Sequence, residues 1–284
     1  MQVTLIRLAI LLRLERKKTK VNNTVNTHIV AVANQKGGVG KTTTAINLAT
    51  ALVAIKKTVL ILDLDAQGNA STGLGISLDD RVSSTYDIII GNADLSDVIK
   101  RTSVEGLYIA PATTDLSSAD VDLVANDKRT MVLKNSIIEL VKKETKFDYI
   151  IIDCPPALSL LTINAFVACD SVLVPLQAEF FALEGLSQLM LTVREVRSTL
   201  NKNIKIQGIV LTMYDKRNNL SVQIEDDVRE NLGKLVYETV IPRNVRLSEA
   251  PSFSLPALIY DHKCSGSVAY QKLAIEFLER ENRS

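Results

Sequence analysis

The chain has 284 residues, 46% apolar and 23% charged with no tryptophan, the composition of a soluble globular protein able to bury a sizeable core. Net charge is only +1, and residues 1–27 carry six Lys/Arg against one Glu, so the remainder is net acidic and bulk basicity makes no case for nucleic acid. Cys154, Cys169 and Cys264 lie too far apart for a zinc or iron–sulfur framework or a paired-disulfide scaffold, and fit a reduced, cytosolic protein.

Residues 1–27 stand apart. Their apolar stretch from Leu5 to Leu14 is interrupted by Arg7 and Arg13, which makes it too short and too charged to span a bilayer. Basic residues follow it and no small-residue cleavage site is evident, so it does not read as a signal peptide. A disordered tail, or a start assigned upstream of the true one near Val21 or Val25, is preferred over a surface-lying anchor. His28 and His262 are isolated and read as structural.

His28 to Ala33 is an apolar run that predicts a buried strand. It leads into Asn34-Gln35-Lys36-Gly37-Gly38-Val39-Gly40-Lys41-Thr42-Thr43-Thr44, after which Ala45, Leu48, Ala49 and Leu52 recur at helical spacing. Strand, glycine loop and helix with Lys-Thr at its start form a phosphate cradle. Glycines let the backbone approach phosphate oxygens, Lys41 can reach the β- and γ-phosphates, and the Thr42 hydroxyl can meet Mg²⁺. The general motif wants glycine at position 35. This chain has Gln35 there, and a second lysine, Lys36, at the loop entrance.

Thr58 to Asp63 predicts a second buried strand, ending in Asp63-Leu64-Asp65-Ala66-Gln67-Gly68-Asn69. Carboxylates at such a strand end face the ligand edge of an open α/β sheet. Alone, a D-x-D before a turn is a weak signal. Short helical patterns at 86–90 and 95–99, a strand at 107–110 and an amphipathic helix at 133–141 follow. Tyr149-Ile150-Ile151-Ile152-Asp153-Cys154-Pro155-Pro156 is a strand whose terminal carboxylate suits Mg²⁺, stopped by two prolines. A strand at 171–176, a long helix at 186–200 and a strand at 206–213 come next. Phe180 and Phe181 fit either an interface or the core. Basic residues then cluster at 215–219 and 241–251, where solvated loops are the ordinary reading, and a C-terminal helix at 268–281 ends acidic, as expected of a helix packed on its own domain. Strand–helix alternation predicts an α/β fold, a mostly parallel twisted sheet with helices on both faces.

Lys36-Gly37-Gly38-Val39-Gly40-Lys41-Thr42 resembles the deviant Walker A loop of the ParA/MinD family of dimerising P-loop ATPases. Residues 63–69, Asp153-Cys154-Pro155-Pro156 and Arg243-Asn244-Val245-Arg246-Leu247-Ser248-Glu249-Ala250-Pro251 resemble its partition (ParA/Soj) branch, making 28–284 one ATPase domain. The resemblance implies that Gly37, Gly38, Val39, Gly40, Lys41, Thr42 and Thr43 bind nucleotide, with Pro242 and Asn244 near the adenine. It implies that Thr42 and Asp153 hold Mg²⁺, that Asp65 positions the attacking water, and that Lys36 reaches the partner's nucleotide across an ATP-dependent homodimer. It implies non-specific nucleoid DNA binding through Arg217 and Arg246, slow hydrolysis stimulated by a ParB-type partner, and a cytoplasmic, nucleoid-associated protein. A membrane-cycling, MinD-like positioning ATPase and a nucleotide-dependent, non-enzymatic regulator are the alternatives. The acidic C-terminal helix speaks against the first, and Asp65 with Asp153 against the second.

Overall fold

A computed structural model of the chain describes residues 27–124, 128–143, 147–179 and 182–281; the N-terminal extension, Phe180 and Phe181 lie outside these residues. Seven strands form one sheet: β1 (His28–Val32), β2 (Val59–Asp63), β3 (Lys100–Arg101), β4 (Leu107–Ala110), β5 (Tyr149–Asp153), β6 (Ser171–Gln177) and β7 (Lys205–Thr212). Their order is β3-β4-β2-β5-β1-β6-β7. All neighbours are parallel except β3 on β4, a two-residue edge pair. The all-apolar centres of β2 and β5 are buried on both faces, the pattern of parallel strands covered by helices.

Six longer helices supply the cover: α1 (Lys41–Ala54), α2 (Val132–Lys142), α3 (Leu160–Ala168), α4 (Ala182–Thr199), α5 (Asn219–Leu232) and α6 (Ser265–Glu281). Two cores lie on opposite sides of the sheet. One packs Leu60, Ile150, Ile152 and Val174 against α2, α3, α4 and α5. The other packs Val30, Ile61, Ile151 and Val210 against α1 and α6. A buried Leu or Ile is worth about 1.5–3 kcal/mol, so either face left bare would undo the sheet. The acidic C-terminal helix is thus a core element: Leu273, Phe277 and Leu278 are buried on the domain. No helix among the described residues is long and apolar enough to cross a membrane.

The architecture matches the sequence expectation, with two longer helices, several short ones and the edge strand β3 added. Leu160–Ala168 is almost wholly apolar and buried, so it carries no amphipathic period. Asn219–Leu232 is mostly polar and begins where Asn218 accepts a hydrogen bond from the Leu220 N–H. From β1 the chain runs to β2 on one side of the sheet, while β6 lies on the other. The carboxyl ends of β1, β2 and β5 therefore open at one switch-point edge.

Candidate functional site

The loop after β1 is built to present backbone. Gly38 and Gly40 adopt left-handed conformations, φ +74° and +86°, which side-chain-bearing residues rarely adopt. Between them Val39 is buried, and its carbonyl accepts the Thr212 hydroxyl at 2.8 Å, so the end of β7 braces the loop. Gly40 caps α1 without any side chain, and the first turn holds no acidic residue. That leaves a helix N-terminus whose N–H groups and dipole suit an anion.

Lys41 is buried, and its Nζ donates to the Lys36 carbonyl at 3.1 Å, curling the side chain over the loop. Burial lowers its pKa, while the nearby Asp153, Cys154 and Asp65 charges pull it back up. Asp63 and Asp153 are register partners on β2 and β5. Asp63 is fully buried and accepts from the Ser71 N–H (2.9 Å), the Ser71 hydroxyl (2.6 Å) and the Asp65 N–H (3.2 Å). It is a structural group, and burial lifts its pKa to about 6. Asp153 is equally buried, yet neither carboxylate oxygen has a hydrogen-bond partner. Burial and the Asp63 charge push its pKa well up, against the pull of the Thr42 side chain, which falls short of a hydrogen bond, and of Lys41.

Asp65 stands one turn beyond β2, half-buried, its Oδ1 accepting from the Gln67 N–H at 3.0 Å. With Gly38, Gly40, Lys41 and Thr42 it lines a cleft of about 460 Å³. Gly37 and Thr43 join the same wall; Leu247, Pro251 and Leu255 form the far one. Sequence reasoning passed over several contributors. Met213 lines the cleft with a left-handed backbone (φ +49°), uncommon for a non-glycine residue and a mark of local strain. Neither it nor the Thr212 brace belongs to a recognisable motif; chain topology brings them to the loop.

Lys36 is half-exposed and forms an ion pair with Glu179 of its own chain. Pro242 and Asn244 do not line the cleft. Pro242 bridges to Tyr214, next to Met213, and borders a second groove of about 960 Å³ with Arg217, Arg243 and Lys272. Asn244 caps the short helix Val245–Glu249, accepting from the Arg246 N–H at 2.9 Å, and its amide donates to the Ser265 hydroxyl. Arg217 is exposed and is forked onto Asp215 (Nε to Oδ1 3.0 Å). Arg246 pairs with Glu249 at 2.8 Å.

A family model described as "AAA domain" matches residues 27–206. The chain is 53% identical over 253 residues to the chromosome partitioning protein ParA of Caulobacter vibrioides, covering 89% of this chain and 94% of that one. It is 52% identical to the sporulation initiation inhibitor protein Soj of Bacillus subtilis, covering 87% and 97%. The chain belongs to the ParA/Soj family.

Solved structures place this ParA/Soj-family chain in the P-loop NTPase fold. Cobyrinic acid a,c-diamide synthase from Mycobacterium smegmatis, solved with ADP and magnesium, superposes with a TM-score of 0.76 at 35% identity, covering 88% of this chain and 93% of that one. The septum site-determining protein MinD of Pyrococcus horikoshii, complexed with Mg-ADP, gives 0.73 at 28% identity, covering 88% and 95%.

Proposed function

We propose that the chain is a partition ATPase in which Mg-ATP closes two copies face to face, the closed pair holds DNA without regard to sequence, and hydrolysis releases it. The observation that carries this reading is Asp153. A buried carboxylate with no partner is expensive unless a cation completes it. Its place beside Lys41, Thr42 and an uncapped helix N-terminus fits magnesium bound with a phosphate chain. Thr42 and Asp153 would hold the Mg²⁺, which when bound supplies positive charge against the β- and γ-phosphates.

Around that centre, the amides of residues 37–43 and Lys41 neutralise phosphate charge, and Asp65 orients the attacking water. Pro242 and Asn244, which do not line the cleft, are assigned to the adenine by the family resemblance alone. Lys36 leaves Glu179 and enters the partner's site as a fixed cation on the developing charge, the logic of an arginine finger. A half-exposed ion pair is worth only about 0–1 kcal/mol, so that exchange costs little. Arg217 and Arg246 contact DNA phosphates, and a ParB-type partner accelerates hydrolysis. The protein then works in the cytoplasm on the nucleoid.

DNA co-sedimentation in ATP, ADP and no nucleotide tests the reading. ATP-dependent, sequence-indifferent binding that weakens with salt is expected, lost in the Arg217→Ala/Arg246→Ala double variant. Equal binding in every nucleotide state, or none in any, contradicts it.

A further inference from the structure

We infer that Arg81 is a positioning residue for hydrolysis: its guanidinium clamps the turn that carries Asp65. The inference rests on the role proposed for Asp65.

Arg81 is only 6% exposed and forms no ion pair among the described residues. Its fork goes instead to neutral acceptors. Nε and one terminal nitrogen donate to the Ile76 carbonyl (3.2 and 2.8 Å), that same nitrogen to the Thr72 hydroxyl (2.8 Å), and the other to the Ala112 carbonyl (3.1 Å). Burying a cation on neutral acceptors is costly even with the Asp63 charge nearby in its favour, and an apolar side chain would fill the space more cheaply. What the arginine adds is a planar donor set that ties three separate places together.

Those places enclose the Asp65 turn. The Asp65 backbone carbonyl accepts from the Gly68 N–H at 2.8 Å, closing the turn, and the short helix Asn69–Gly73 follows directly. Within that helix Ser71 holds Asp63, and the Ser71 hydroxyl takes the Ala112 N–H at 3.0 Å. Ala112 is thus gripped from both sides, by Ser71 at its N–H and by Arg81 at its carbonyl. Gly68 shows how closely the clamp is fitted. A Cβ at that position would lie 2.4 Å from the Arg81 terminal nitrogen and 3.2 Å from the Ala112 oxygen. The guanidinium occupies the space a side chain at 68 would need, against the very turn that presents Asp65. Thr72 and Asp65 line the nucleotide cleft, and Arg81 does not. Its influence on the chemistry passes through the turn.

The test compares full-length Arg81→Ala, Arg81→Lys and Gly68→Ala with Asp65→Ala as the reference. Single-turnover ATP hydrolysis is measured with DNA present, and ATP affinity by titration of a fluorescent ATP analogue. Arg81→Ala and Gly68→Ala are expected to slow hydrolysis by tenfold or more, as a misplacement on the order of 1 Å does, with affinity changed less than about twofold. Arg81→Lys keeps the charge but not the fork and is expected to be slowed likewise. Should Arg81→Ala fail to fold, Arg81→Lys decides, because Gly68 has φ +59° and any side chain there strains the turn independently of the clamp. Normal hydrolysis in Arg81→Lys or Gly68→Ala beside an inactive Asp65→Ala overturns the proposal, as does a proportional loss of rate and affinity. Normal hydrolysis in Asp65→Ala overturns the role of Asp65 itself.

Discussion

Asp63 and Asp153 end adjacent strands opposite one another, and their surroundings separate their roles. Three donations satisfy Asp63; Asp153 receives none. Both hold their protons at higher pH when folded than an ordinary carboxylate does, Asp63 up to about 6 and Asp153 well above the usual carboxylate range. From roughly pH 4 upward the folded state therefore binds more protons than the unfolded chain, and nucleotide-free stability falls as pH rises through that window. Thermal melting of the nucleotide-free protein is expected to give a higher Tm at pH 6 than at pH 8. Asp153→Asn removes the charge, so it should raise the Tm at pH 8 by a few degrees and flatten the pH dependence, while weakening magnesium-dependent nucleotide binding. A Tm at pH 8 lowered by Asp153→Asn would contradict this. The charge pattern of the loop and the strand-end aspartates were legible because the residues involved are neighbours in sequence. Arg81 and Met213 were not, since only the fold brings them to the site.

At the level of elements, β7 shows what a single missing side chain permits. Gly208 lies in the strand interior, and a Cβ there would meet the Tyr237 ring at 2.4 Å. That ring is fully buried, and Arg280 from α6 stacks over it, 3.9 Å from its centre. Glu276, one helical turn earlier, accepts from the Glu238 and Thr239 N–H groups and pairs with Arg280 at 2.9 Å. Strand, α6 and the 236–239 segment form one joint. Gly208→Ala must push an aromatic ring from a packed core, so a loss of about 1–3 kcal/mol is expected in urea unfolding. A midpoint unchanged from wild type would contradict that packing argument. Val132–Lys142 was legible from its period and the uniformly apolar 160–168 gave none to read; 219–232 repeats Leu220, Ile224, Val228 and Leu232 every fourth residue, a helical signal thinned by the polar residues between them. The basic stretch at 243–249 read as a loop because its helix is one short turn, held by the Asn244 cap rather than by an apolar face.

Across the whole molecule, charge is nearly balanced, so the DNA binding proposed for it has to be local and conditional. Arg217 and Arg246 each spend their charge on an acidic neighbour within the chain, so on the proposed reading one copy alone would bind phosphate weakly. On that reading, pairing two copies would double the sites on one duplex and raise binding through effective concentration, without any new type of contact. The role proposed for Lys36 would give the same pairing a chemical purpose, since its own-chain partner Glu179 is an exposed residue that it can leave. The central claim is that ATP joins two copies through this loop. The direct measurement is the solution mass of Asp65→Ala, by light scattering after size exclusion, in Mg-ATP and in Mg-ADP. The account predicts a dimer in ATP, a monomer in ADP, and a shift back towards monomer when Lys36→Ala is added. A monomer in both nucleotides, or a dimer indifferent to nucleotide and to Lys36, would contradict it.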